Sequence, residues 1–225
     1  MLVGLLSAIH HRRRTGQGQQ IELRQYESIV NFMGTVVMDY AANGHQQTRM
    51  GSRSEFAAPH GVYRCAGEDR WCVITVENHQ AWSALCRAVG HLAWLTDERF
   101  ATFAARKNNE DELDRLLQTW TSIRSPEDAV RILQEARVAA GMVQHAGDLM
   151  EHDPQLAARQ FYVPIEHPDM GAMLHEGLTF KLSGTDGGVH RRAPLLGEHN
   201  DYVLQELLGL AEEEVNGLIT SGVVM

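Results

Sequence analysis

Apolar residues open the chain at helical spacing, at Leu2, Leu5, Leu6 and Ile9, and give way to a basic run from His10 to Arg14. That pattern predicts a helix whose C-terminal cations complement its dipole. Thr15-Gly16-Gln17-Gly18 breaks it, and Gln19 to Leu23 alternates polar and apolar residues as a short strand does. A second helix, from about Arg24 to Ala42, places Tyr26, Ile29, Val30, Met33, Val37 and Tyr40 on one side and stops at Asn43-Gly44. One strand cannot be a sheet, so this opening reads as the last unit of a larger α/β sheet and predicts sequence before Met1.

Gly44 to Gly61 is polar and aperiodic and predicts an extended linker. Beyond it, Val62 to Cys65 and Trp71 to Val76 predict a hairpin around Ala66-Gly67-Glu68-Asp69-Arg70, and Asn78 caps a helix to about Val89. Further helices are expected at Asp97 to Ala104, at Asn109 to Ile123, and from Ser125-Pro126-Glu127-Asp128, where serine caps, proline follows and acids fill the first turn. Val138 to Gln144 reads as a strand, Ala146 to His152 and Pro154 to Arg159 as helical pieces, and Tyr162 to Glu166 and Leu178 to Leu182 as strands. Ser183 to Arg192 is a second linker, and His199 to Leu208 a final amphipathic helix.

Composition narrows the function classes. A net charge of -9 and a pI near 5.7 exclude a nucleic-acid partner, which needs a basic face. The three cysteines, Cys65, Cys72 and Cys86, are odd in number and form no CxxC, so they predict buried free thiols instead of disulfides or a zinc site. The basic cluster follows the apolar opening instead of preceding it, unlike a secretory signal, and no run of about 18 apolar residues occurs. A soluble, cytoplasmic protein with no membrane partner is expected. His10-His11 is no metal pair, because adjacent helical residues face different directions; no metal is assigned.

Four segments carry a resemblance. Arg14-Thr15-Gly16-Gln17-Gly18-Gln19-Gln20-Ile21-Glu22-Leu23, Ala58-Pro59-His60-Gly61-Val62-Tyr63-Arg64-Cys65, Asp97-Glu98-Arg99-Phe100-Ala101-Thr102 with Ala105-Arg106 and Asn109, and Ala193-Pro194-Leu195-Leu196-Gly197-Glu198-His199 stand in the order and at about the spacing of family III coenzyme A transferases of the CaiB/BaiF type. The chain resembles the C-terminal half of that family. The resemblance implies an α/β fold made of the remnant of a Rossmann-like large domain and a small α+β domain, joined by two linkers. Residues 1–43 would end the large domain, 44–60 form the first linker, 61–166 the small domain, 167–192 the return segment and 193–225 helices packing back on the large domain.

The family's reaction moves coenzyme A between an acyl-CoA and a carboxylic acid through an aspartyl intermediate. Its aspartate and most of its coenzyme A contacts precede the Arg14-Thr15-Gly16 segment, which puts them upstream of Met1 and predicts that the chain alone is inactive. The resemblance further implies acyl-CoA as substrate, no covalently bound cofactor, and an interlocked homodimer or pairing with a separate N-terminal half. A racemase-like member acting on 2-methylacyl-CoA, or a non-catalytic module, is the alternative. Candidates facing the active site are Glu77, at the end of a strand as in the racemase branch, with His60 and Tyr63 at the linker exit and Glu55 before it. Arg49 and Arg53 are candidates for a coenzyme A phosphate or a carboxylate. Oxalate-type members close a glycine-rich loop over the aspartate; here the corresponding stretch, Arg53 to Ala58, has no glycine. Glu198 and His199 are expected to be structural.

Overall fold

In the computed structural model the chain divides into two compact units, Met1–Gly141 and Met142–Met225. The structure describes residues 1–185 and 187–224; Asp186, within the expected second linker, and Met225 lie outside the described residues.

The first unit starts with three helices, α1 (Leu2–Thr15), α2 (Gln25–Phe32) and α3 (Gly34–Asn43). Gly16 and Gly44 end α1 and α3 in the left-handed conformation that glycine adopts without strain. The expected strand at Gln19 to Leu23 is absent: no neighbouring strand pairs with it among the described residues. The expected single helix from Arg24 to Ala42 is two, interrupted at Met33 just before Gly34, a residue that costs about 1 kcal/mol relative to alanine in a helix interior. None of the three helices buries a residue; Leu2, Tyr26, Phe32 and Met38 are among the large apolar groups they expose.

The core of this unit lies between Ala57 and Val138. Strands β1 (His60–Arg64), β2 (Trp71–Thr75) and β3 (Ala139–Val143) form a sheet in the order β1-β2-β3, with β1 and β2 antiparallel and Val62 opposite Val73. One face carries Tyr63, Cys65, Cys72 and Ile74, all buried, as the two-residue period of a strand requires. Helices α6 (Glu110–Thr121) and α7 (Pro126–Glu135) pack on β1 and β2, α4 (His79–Ala88) packs on α7, and a short α5 (Phe103–Asn108) leads into α6. The caps are those the sequence announces: the Asn78 side chain accepts the Ala81 N–H, and that of Ser125 the Asp128 N–H with Pro126 following. Asp97 to Ala101 forms turns instead of the first part of the expected helix, because Thr102 caps α5 and so sets its start at Phe103.

Trp82, Phe100, Leu85, Leu113, Leu117 and Leu133 are fully buried, each worth about 1.5–3 kcal/mol of transfer free energy. Trp94 stacks on Trp82 with centroids 6.1 Å apart, and Phe100 meets both edge-on. The three cysteines are free and buried in the same region. Burial pushes the Cys72 and Cys86 thiols up to about 12 and also raises Cys65. Since the thiolate is the nucleophile, none of the three is expected to react with iodoacetamide at pH 8 in the native chain, and all three in urea. Mass spectrometry before and after unfolding checks this; a thiol labelled at equal rate in both states contradicts its burial.

In the second unit, α8 (Ala146–Glu151) and α9 (Pro154–Ala158) precede an antiparallel hairpin of β4 (Tyr162–His167) and β5 (Gly171–Glu176). The sequence suggests the second strand at Leu178 to Leu182, but that stretch belongs to no ladder. Gly171, at φ 71°, closes a tight turn after His167, and the strand that immediately follows takes the pairing. The expected final helix, His199 to Leu208, is a π-helical turn at Tyr202–Leu207, followed by α10 (Glu212–Thr220). Glu198 accepts the Leu195 N–H at 2.7 Å and takes two hydrogen bonds from Arg192. Those partners lower its pKa to about 2. Among the described residues no helix is long and apolar enough to cross a membrane, and no group of three His, Cys, Asp or Glu could hold a metal.

Candidate functional site

β1 is an edge strand, and its register decides what its open side offers. The Cys65 N–H donates to Arg70 O, and the Val76 N–H to Pro59 O. With the pairs Gly61–Ile74 and Tyr63–Cys72 between them, the alternation of an antiparallel ladder turns the main chain of His60, Val62 and Arg64 outward. At Arg64 the edge is closed by the Gln118 amide, which accepts the Arg64 N–H at 2.9 Å and donates to its carbonyl at 2.7 Å. At His60 and Val62 it is open.

That open stretch borders a cleft of about 540 Å³. Arg53, His60, Tyr63, Asp114, Arg115 and Gln118 line it together with Met50, Gly51, Ser52, Gly61 and Val62. Tyr63 is buried and donates its hydroxyl to Asp114 at 2.7 Å. Gly61 makes this geometry possible: a Cβ there would sit 3.0 Å from the Tyr63 hydroxyl. Desolvation, and secondarily Asp114, raises the Tyr63 pKa, so the phenol stays a donor. His60 places Nδ1 2.5 Å from Ser52 O. A carbonyl only accepts, so Nδ1 carries the proton and Nε2 of the neutral ring is an acceptor.

Arg53 reaches Asp111 at 2.5 Å and Asp114 at 3.0 Å, with Glu110 3.9 Å away. The hydrogen bonds to Asp111 and Asp114 raise its pKa. Three carboxylates surround this one cation, and Arg115 is engaged by Glu112. The electrostatics of the cleft therefore favour a neutral or extended amide-bearing group over a free phosphate.

The structure thus brings three of the six candidates, Arg53, His60 and Tyr63, to one cleft. Glu55 lies outside its lining, 3.8 Å from His45, whose other nitrogen sits 2.6 Å from Asp39. Glu77 is exposed at the end of β2, and Arg49 is exposed in the linker; neither has an ion pair or hydrogen bond among the described residues. Sequence reasoning missed Asp111, Asp114 and Gln118, some fifty residues from their partners. Their spacing along α6 was the available signal, because i and i+3 share a helix face.

Comparison with known proteins gives this geometry its context. The model of the family described as CoA-transferase family III matches residues 1–200. The chain belongs to CoA-transferase family III. Within the family it is 33% identical to the succinyl-CoA--D-citramalate CoA-transferase of Chloroflexus aurantiacus over 213 residues, 95% of this chain and 52% of that protein. It is 27% identical to the beta subunit of succinyl-CoA--L-malate CoA-transferase from the same organism, covering 99% of this chain and 55% of the relative. A crystal structure of a CaiB/BaiF family protein from Brucella suis superposes with a TM-score of 0.77 at 29% identity, over 91% of this chain and 52% of that one. The chain spans about half the length of these relatives, and the mixed α/β fold with small antiparallel sheets is the fold of that family.

Proposed function

We propose that this chain is the C-terminal portion of a coenzyme A transferase that moves coenzyme A between an acyl-CoA and a carboxylic acid, with the nucleophilic aspartate supplied by a polypeptide segment outside these 225 residues. The observation that carries the reading is the family match over residues 1–200. It is supported by the engagement of Asp114, the one carboxylate lining the cleft among the described residues: one oxygen accepts from Tyr63 and the other from Arg53, so neither is free of a donor as a nucleophile's would be. In this reading residues 1–43 and 193–225 belong to the large domain and 61–166 to the small one, with 44–60 and 167–192 as connections. The exposed apolar groups of α1, α2 and α3 then pack against the rest of that large domain in an interlocked cytoplasmic homodimer. Glu77, His60, Tyr63 and Glu55 remain the candidates to face the acyl group, and Arg49 the candidate for a coenzyme A phosphate.

The donor and acceptor to assay first are those in the names of the two relatives, succinyl-CoA with D-citramalate or L-malate. The purified chain is expected to catalyse no acyl exchange. A mixture with a polypeptide carrying the aspartate-bearing half is expected to turn over. Exchange by the chain alone overturns the placement of the nucleophile, and silence of a stably formed mixture with both acceptors overturns the substrate class. A second reading, in which the chain works within an assembly of more than one kind of chain, is favoured by its likeness to a beta subunit; it predicts that the chain co-purifies with a distinct partner chain.

A further inference from the structure

The stretch entering β1 has the composition of a free linker, yet its hydrogen bonds do not describe one. The Lys107 ammonium donates to Ser54 O at 2.7 Å and to Glu110 at 2.8 Å. Arg106, buried in the core, donates Nε–H to Ala58 O at 2.8 Å. The Ala58 N–H itself donates to Val76 O at 3.0 Å, and Arg53 is held by Asp111 and Asp114. Ala57 and Ala58 are buried. The contrast with the residues just before is sharp in chemistry: Gln46, Gln47, Thr48 and Arg49 are exposed and make no hydrogen bond or ion pair among the described residues.

We infer that residues 52–59 are a fixed strap of the core below them, that bending is confined to residues 46–51, and that Lys107 and Arg106 are the positioning residues of the strap. These two cations of α5 hold two strap carbonyls, and two carboxylates of α6 hold the strap's own Arg53. A segment tied at so many points does not swing as a lid, so the cleft wall bearing His60 and Tyr63 is present before any ligand arrives. Gly51, at φ 66°, marks the joint between the two behaviours. Charge-assisted bonds of this kind are the stronger class of hydrogen bond, and local opening must break several of them together. The inference concerns the strap alone and holds whatever reaction the cleft serves.

Trypsin reads the difference directly, because Arg49 and Arg53 are both cleavage sites in one short stretch. Native chain is digested briefly, cuts after each arginine are quantified by mass spectrometry, and each rate is divided by that of a peptide spanning residues 44–60. Arg49 is expected to be cut at nearly the peptide's rate, and Arg53 roughly 10- to 100-fold slower. Lys107→Met is expected to speed the cut after Arg53 by about tenfold, as loss of one charge-assisted bond implies, with Lys107→Arg restoring protection. The urea midpoint followed by tryptophan fluorescence separates strap release from general loosening, since the core tryptophans report the latter. Equal normalised rates at Arg49 and Arg53 in the unaltered chain overturn the inference. So does a Lys107→Met chain with an unchanged urea midpoint and an unchanged rate at Arg53.

Discussion

Replacing Arg106 by alanine is expected to destabilise the first unit by about 3–5 kcal/mol, among the largest effects of any single substitution in the chain. Opposing contributions decide the sign. The guanidinium is 2% exposed and has no carboxylate partner among the described residues, and burial lowers its pKa. Removing a buried cation relieves a desolvation penalty. Against that relief stand two carbonyls, Ala58 O at 2.8 Å from Nε and Phe100 O at 3.2 Å from Nη1, which lose their donors inside the core. Each orphaned polar group costs about 1–3 kcal/mol. The guanidinium also lies 4.7 Å from the Trp82 ring centroid, a contact worth about 2 kcal/mol when desolvated. Alanine adds the cavity left by a long side chain. The losses exceed the relief.

Methionine at the same position fills the volume without restoring the donors, so Arg106→Met should fall between alanine and the parent. Urea unfolding followed by tryptophan fluorescence measures all three. A methionine variant as stable as the parent would show that volume, not hydrogen bonding, is what Arg106 contributes. Trp82 supplies a contrast, since its indole N–H is buried and has no partner among the described residues. Trp82→Phe loses no hydrogen bond, so its cost comes from packing and from a weaker contact with the Arg106 guanidinium.

What the sequence disclosed divides along a physical line. Features set by near neighbours were legible: the caps at Asn78 and Ser125, the glycine stops at Gly16 and Gly44, and the hairpin between Arg64 and Trp71. Features that depend on a distant partner were not. Gln19 to Leu23 has a strand's alternation, but a strand exists only where another lies beside it. Leu178 to Leu182 alternates as well, yet the shorter turn at Gly171 delivers Gly171–Glu176 to β4 first, at a smaller loop-closure cost. The candidate site shows the same division. Arg53, His60 and Tyr63 could be singled out because they cluster in sequence at the linker exit. Asp111, Asp114 and Gln118 are ordinary polar residues on an exposed helix face until the fold sets them against β1.

Asp114 is where those two groups meet, and its removal has the second large effect. Asp114→Ala is expected to cost about 2–4 kcal/mol, the sum of an unpaired buried hydroxyl on Tyr63 and the loss of one of the carboxylates facing Arg53. Most of that should come from the hydroxyl, because Arg53 is partly exposed and retains Asp111, and ion pairs in water contribute under about 1 kcal/mol. The assignment can be separated by substitutions at the two ends. Asp114→Asn keeps an oxygen able to accept from Tyr63 and should lose only about 1 kcal/mol. Tyr63→Phe removes the donor, so a chain carrying both Tyr63→Phe and Asp114→Ala should be more stable than the Asp114→Ala single variant, by about 1–2 kcal/mol. Additive losses in this cycle would place the cost on Arg53. The same cycle has a consequence for the cleft: with Asp114 gone, Arg53 still faces Asp111 and Glu110, so the wall should stay unsuited to anions. Titration of the Asp114→Ala chain and the parent with succinate is expected to show binding in neither, and binding confined to the variant would mean that Asp114 alone keeps anions from Arg53.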